Sequence, residues 1–309
     1  MIHNSLVDFF YNIKPFFPRR LQLFLRRKLA FNRLKYCTDR WPIDPGTARI
    51  PDNWTGWPEN KKFALVLTHD VDTKKGYDNA AALMKVDQRM GFRAAFNFVP
   101  ERDYSPSLEI RQYFEGNGFE IGVHDLKHDG KLFKSKKTFT KRAERINRYL
   151  KEWECKGFRS GAMHCNLEWV HQLHIEYDAS TFDTDPFEPK PESQKTIFPL
   201  WVGPNEFGNG FVELPYTLPQ DFTLFVLMQE KNIAIWKKKL DWVVEQGGMA
   251  LVLTHPDYMN FGQGTCSQEE YPVQFYQELL DYIKCKYDGM YWHVLPHEMS
   301  RFWSKRVTV

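Results

Sequence analysis

Residues 63–72 read FALVLTHDVD: an apolar run followed by Thr68, His69, Asp70, Val71 and Asp72. An apolar run this short, bounded by polar residues, is the pattern of a strand buried on both faces. That it leads straight into two carboxylates also says where chemistry would sit. In parallel α/β folds, functional groups gather at the C-terminal ends of the strands. The same grammar repeats downstream. AAFNFV (94–99), FEIGVH (119–124), GFR (157–159), YDAS (177–180), FVELPY (211–216), MALVLTH (249–255) and YWHVLP (291–296) read as strands. Between them, 78–90, 107–117, 136–153, a stretch near 166–174, 233–246 and 269–286 read as helices. The alternation predicts an α/β chain, a distorted (β/α) barrel of seven to eight parallel strands.

Upstream the pattern differs. The whole chain of 309 residues is 42% hydrophobic and 26% charged, which excludes a disordered, fibrous or polytopic membrane protein. Its net charge of +3 hides an asymmetry: residues 1–40 hold nine Lys/Arg against Asp8 and Asp39. We therefore expect residues 1–55 to form a basic aromatic arm with a linker, and 56–309 to form the barrel. Phe9, Phe10, Tyr11, Phe16, Phe17, Leu21, Leu23, Phe24, Leu25, Leu29 and Phe31 are interleaved with Arg19, Arg20, Arg26, Arg27, Lys28 and Arg33. On a helix, this mixture suits peripheral membrane contact through residues 5–36. It equally suits a helix packed on the body with its Arg stems over apolar surface. Residues 41–60, rich in Pro, Gly and Trp, read as the linker. On this reading the basic charge bears on where the barrel is held and not on what its site accepts, and no nucleic-acid partner is expected.

The five cysteines are scattered and form no CxxC pair, which favours reduced thiols. No stretch has the form of a signal peptide or approaches a membrane span. The expected location is cytoplasmic, peripheral on the inner face of the cytoplasmic membrane if the arm binds lipid.

The strand ends supply the chemistry. Asp72, His124 and His128 form a candidate divalent-metal set. The histidines are four apart, so one helical turn would bring their rings to one side, and a carboxylate from another strand would complete a facial set. Asp70 is then free to accept a proton, with Arg159 to hold it ionised. His255 can act as general acid. Tyr216, Tyr258 and Trp201 would stack on sugar rings or pack in the core. His164, His171, His174, His293 and His297 read as structural.

In their order, THDVD (68–72), HDLKH (124–128), FRSG (158–161) and LVLTH (251–255) resemble the motifs of the polysaccharide deacetylases, the NodB-homology group of carbohydrate esterases. The resemblance covers about residues 61–300. It implies that Asp70 is the general base, that Asp72, His124 and His128 hold the metal, that Arg159 orients the base and that His255 is the acid. It further implies zinc, or Co, Ni, Mn or Fe, and an N-acetylated sugar or glycan of bacterial surface or extracellular polysaccharide biosynthesis. In the mechanism so implied, water loses a proton to Asp70 and attacks the amide carbonyl. The metal acts as Lewis acid, a backbone N–H near Tyr216 or the third motif holds the oxyanion, and His255 protonates the amine. The chain departs from the pattern in three places. Val71 separates the two aspartates, Asp125 replaces a Ser/Thr, and the third motif lacks its proline. The aspartate that tunes the acid histidine has no clean match, with Asp183 and Asp185 as candidates. Two other readings stay open: hydrolysis of another C–N or O-acetyl ester bond, and a non-catalytic glycan-binding protein on the same fold.

Overall fold

The computed structural model describes residues 18–189, 193–262 and 264–307. The part of the arm before residue 18 lies outside them. Every residue of β1 (Phe63–Val71) is buried, as its apolar run requires. It is the hub of a nine-stranded sheet. β1 pairs in parallel with β2 (Ala95–Phe98), β8 (Met249–Thr254) and β11 (Tyr291–His293). From β2 the sheet continues in parallel through β3 (Glu120–His124), β4 (Gly157–Arg159), β5 (Tyr177–Asp178) and β7 (Phe211–Glu213). β6 (Leu200–Val202) then adds antiparallel to β7. The sheet thus curls, and past β7 the amides of Thr217 and Leu218 donate to Leu251 O on β8. The eight parallel strands form the expected barrel, and β6 is the antiparallel addition. A small second pair, β9 (Met259–Asn260) with β10 (Tyr271–Pro272), follows β8.

Helices cover the outside: α2 (Lys74–Arg89), α3 (Leu108–Gly116), α4 (Lys136–Glu152), a single turn α5 (Leu167–Val170), α6 (Ala234–Glu245), α7 (Val273–Tyr287) and α8 (Pro296–Val307). α4 shows why they form. Phe139, Ala143, Ile146 and Leu150 recur at helical spacing on its buried side, and its lysines face water. The Ser135 hydroxyl caps its first turn by accepting from Thr138 N at 3.1 Å.

The linker expectation for 41–60 fails. Trp41 and Trp57 are buried in the core. Trp57 stacks between Phe198 and Trp292 and donates from Nε1 to Gly247 O at 2.8 Å. Pro and Gly make the segment irregular, but burying two indole rings ties it to the body. The arm ends in α1 (Arg19–Leu34), which packs on the barrel through Gln22, Leu23 and Ala30. Arg27 donates from Nε to Val226 O at 3.0 Å, and Arg19 pairs with Glu269 at 2.8 Å.

Candidate functional site

The C-terminal ends of β1, β3, β4 and β8 open into a cavity of about 1210 Å3. Asp70, Asp72, His124, His128, His255 and Tyr258 all line it. Its floor holds the donor set. Asp72 Oδ1 lies 3.1 Å from His124 Nε2 and 3.3 Å from His128 Nε2, and one ligand atom from each residue falls within 4.8 Å of the others. His124 Nδ1 sits 3.0 Å from Arg159 O, a carbonyl that can only accept. Nδ1 therefore carries the proton and Nε2 presents its lone pair inward, as a ligating histidine must. Two imidazoles and a carboxylate so held fit a divalent transition metal.

The HxxxH spacing works for a different reason from the one expected. His124 ends a strand, and the chain then turns through Asp125 and His128, both with positive φ, 55° and 50°. The backbone reversal, and not a helical turn, brings the rings together, with centroids 4.9 Å apart. Gly161 of the third motif makes room: a Cβ there would stand 2.8 Å from both His128 Cδ2 and Asp125 Oδ2.

Asp70 is fixed from behind. Its Oδ1 accepts from Arg159 Nη1 at 3.0 Å and from Asn97 Nδ2 at 2.8 Å. Its Oδ2 lies 3.7 Å from His124 Nε2, beside the donor set. Burial pushes the Asp70 carboxyl up, but Arg159 and the site histidines outweigh it and hold it below the usual carboxylate range. Asn97, an uncharged residue within a strand, gave no sequence signal. Its space comes from Gly122 on β3, where a Cβ would fall 2.0 Å from Asn97 Oδ1. Arg159 is itself fully buried and also donates to Thr68 Oγ1 and Ala179 O.

His255 has a partner that the sequence reading did not name. Asp221 Oδ1 lies 2.7 Å from His255 Nδ1, and Asp221 Oδ2 accepts from His255 N at 2.8 Å and from Tyr271 OH at 2.9 Å. Burial alone would lower the His255 pKa, but the buried Asp221 charge overrides it and the imidazole is pushed up to about 10. Asp183 and Asp185 are elsewhere. Asp183 is buried against Lys239 Nζ, and Asp185 accepts from Phe187 N and Tyr216 OH. The clue available was Asp221 itself, an acid directly after Pro219 and Gln220, at the start of the helical turn Phe222–Leu227.

Of the aromatic candidates, only Tyr258 reaches the cavity, packed against Phe222 and His255. Tyr216 is 1% exposed, and its hydroxyl is held between the carboxyl groups of Asp185 and Glu188, so it offers no face for stacking. Its amide is committed to Thr181 O and cannot hold an oxyanion. Trp201 lies on β6, outside the lining. Glu213 is buried behind Arg159 beside Asp178, and burial drives its carboxyl well above the ordinary value.

The opposite wall was also unforeseen. Arg19, Arg20, Gln22, Leu23 and Arg26 of α1 line the same cavity, so the helix not only packs on the body, one of the two readings of the arm, but forms one side of the site.

The curled parallel sheet with ionisable strand ends has the NodB-type fold of the polysaccharide deacetylases. Among solved structures, the "putative polysaccharide deacetylase" of Mycobacterium smegmatis superposes with a TM-score of 0.62 at 16% identity, over 84% of this chain and 96% of that one. The 4-alpha-glucanotransferase of Thermococcus litoralis superposes with a TM-score of 0.51 at 14% identity, over 77% of this chain and 40% of that one. At such identities the likeness is one of fold, and a fold shared by two unlike activities does not choose between them. No family model and no curated protein matches the sequence.

Proposed function

We propose that the chain is a metal-dependent hydrolase that removes an N-acetyl group from a carbohydrate. The observation that carries this reading is the pairing of opposites in one cavity. A carboxylate held ionised by Arg159 and Asn97 and an imidazole held protonated by Asp221 both line the pocket containing the Asp72–His124–His128 set. Two titratable groups pushed in opposite directions is how one site supplies both a base and an acid near neutral pH.

Asp72, His124 and His128 would hold zinc, or Co, Ni, Mn or Fe in its place, and the ion would supply Lewis-acid polarisation of the acyl oxygen. Asp70 takes a proton from the attacking water through Oδ2, while Arg159 and Asn97 keep Oδ1 in place. His255 delivers a proton from Nε2 to the departing amine, because Nδ1 is tied to Asp221. Tyr258, with Phe222 beside it, gives the sugar an aromatic wall. A non-catalytic glycan binder would have no use for this acid–base pair. The polysaccharide-pathway role and a cytoplasmic setting with peripheral membrane contact belong to the same proposal. No helix among the described residues is long and apolar enough to cross a membrane.

Metal analysis coupled to acetate release, with free amine measured in parallel, tests the reading. Asp70→Asn should keep its metal and lose about 100- to 10,000-fold in rate, while His128→Ala should lose the metal. Full activity in Asp70→Asn would refute the assignment of the base, and acetate without free amine would move the reading to an O-acetyl esterase.

A further inference from the structure

The inner side of α1 lines the site, and its outer apolar side is left exposed by the described residues. Leu21, Phe24, Leu25, Leu29 and Phe31 are 38–52% exposed on a helix that buries Gln22, Leu23 and Ala30. Lys28 and Lys35 lie among these outward residues, with Lys28 Nζ over the Phe24 ring at 4.6 Å. An exposed apolar stripe set among cations complements an anionic lipid surface, with rings at the acyl boundary and ammonium groups at the headgroups.

The same helix bears on what enters the cavity. Arg19, Arg20 and Arg26 line it from α1, and Lys75, Arg102 and Lys131 line it from the barrel. Some of these charges are already met: Arg19 pairs with Glu269 and Lys75 with Glu270, and Lys131 feels the Asp129 charge without a salt bridge, whereas Arg20 makes no ion pair with the described residues. Asp70, Asp72, Asp129, Glu188, Asp257 and Glu269 line the same cavity, yet none forms a salt bridge with Arg20 or Lys131; a neutral sugar leaves these two cations unmatched, and a phosphate would meet them. The volume of about 1210 Å3 is beyond the usual size of small-molecule sites, so it leaves room past the reacting sugar.

We infer that α1 seats the protein on an anionic membrane surface and that the cavity takes an N-acyl sugar joined to lipid through a phosphate or diphosphate. This rests on the hydrolase reading for the sugar end alone. The phosphate lies against Arg20 and Lys131 at the mouth, the acyl group reaches the floor, and the lipid leaves along α1 into the bilayer in which its outer face is embedded.

Two binding measurements on the full chain test this, and neither depends on hydrolysis. In the first, the protein is floated with vesicles of phosphatidylcholine plus phosphatidylglycerol, or of phosphatidylcholine alone. Wild type should partition to the anionic vesicles. Leu25→Glu/Leu29→Glu, whose sites are solvent-exposed, should melt as wild type does and bind at least about tenfold more weakly. Equal binding by the variant, or none by wild type, overturns the membrane assignment. So does a solution dimer that the variant abolishes, or a wild-type stripe already shielded by residues 1–17. In the second, calorimetry follows inorganic pyrophosphate binding to metal-free protein, so that the ion cannot bridge. Arg20→Gln/Lys131→Gln should weaken binding at least about tenfold, and unchanged binding overturns the phosphate assignment. If both hold while no acetate is ever released, the hydrolase reading fails and this one stands.

Discussion

Replacing Asp221 by Asn removes one charge and little volume, and its effect can be worked out from the contacts. The Asp221 carboxylate accepts from His255 N, Tyr271 OH and Phe222 N as well as facing His255 Nδ1. An amide keeps part of this net but not the charge that lifts His255 to about 10. Burial, which pulls the imidazole down, is then opposed less strongly, and the pKa falls to about its ordinary 6.5 or lower. At about pH 8, a histidine of pKa about 10 is almost wholly protonated, whereas one of about 6.5 is protonated to about 3%. If His255 is the acid, kcat/KM at about pH 8 should drop about thirtyfold, and the basic limb of the profile should move down by about three units. Activity should recover towards about pH 6. The assay is acetate release from about pH 5.5 to 10, with equal metal content in both proteins. Stability should follow the same linkage. A histidine whose pKa rises on folding adds stability that is complete below about 6.5 and is lost as pH climbs through about 10, and Asp221→Asn forfeits it. A uniform loss of rate at every pH, with the basic limb unmoved, would refute the argument and leave Asp221 as scaffolding.

Gly161→Ala pushes a methyl group to 2.8 Å from His128 Cδ2. The ring must shift by more than metal–ligand distances tolerate, so affinity in a chelator competition should fall about 10- to 100-fold with the melting temperature little changed. Trp57→Ala should cost about 3–5 kcal/mol of stability in denaturant titrations, where a true linker residue would cost almost nothing. Lys239→Met leaves Asp183 buried without its partner and should cost about 3–5 kcal/mol. Asp183 already sits at about 6 through burial, so that loss should shrink at acid pH as the carboxyl protonates and grow as pH rises.

What the sequence could show was whatever depends on neighbours along the chain. β1 and β8 were legible because burial on both faces demands apolar runs, β3 because only Glu120 interrupts its own, and Asp70, Asp72, His124 and His255 followed because they end or directly follow those runs. Asp221 was hidden because it meets His255 across 34 residues from an irregular segment. Asn97 was hidden because only its neighbours Gly122 and Asp70 give it meaning. The 41–60 segment misled because Pro and Gly report backbone irregularity and not burial, and its tryptophans decide where it lies. The inward side of α1 could not be read at all, since arginines that line a cavity and arginines that face water are spelled alike.

Asp257 couples two parts of this site that the chain order keeps apart. It follows His255 on the β8 loop, yet its carboxylate accepts from the amides of Asp72 and Thr73 and from the Thr73 hydroxyl. Thr73 is the residue before α2, so the entry to that helix is held by a side chain from the loop after the neighbouring strand β8, and Gly76 is where a Cβ would collide with it. The loop that carries His255 and the loop that carries Asp72 are therefore one mechanical unit. In hydrogen exchange, the amides of 72–73 and of the His255 turn should open together with a single protection factor, so that partial unfolding displaces Asp72 and His255 in one step.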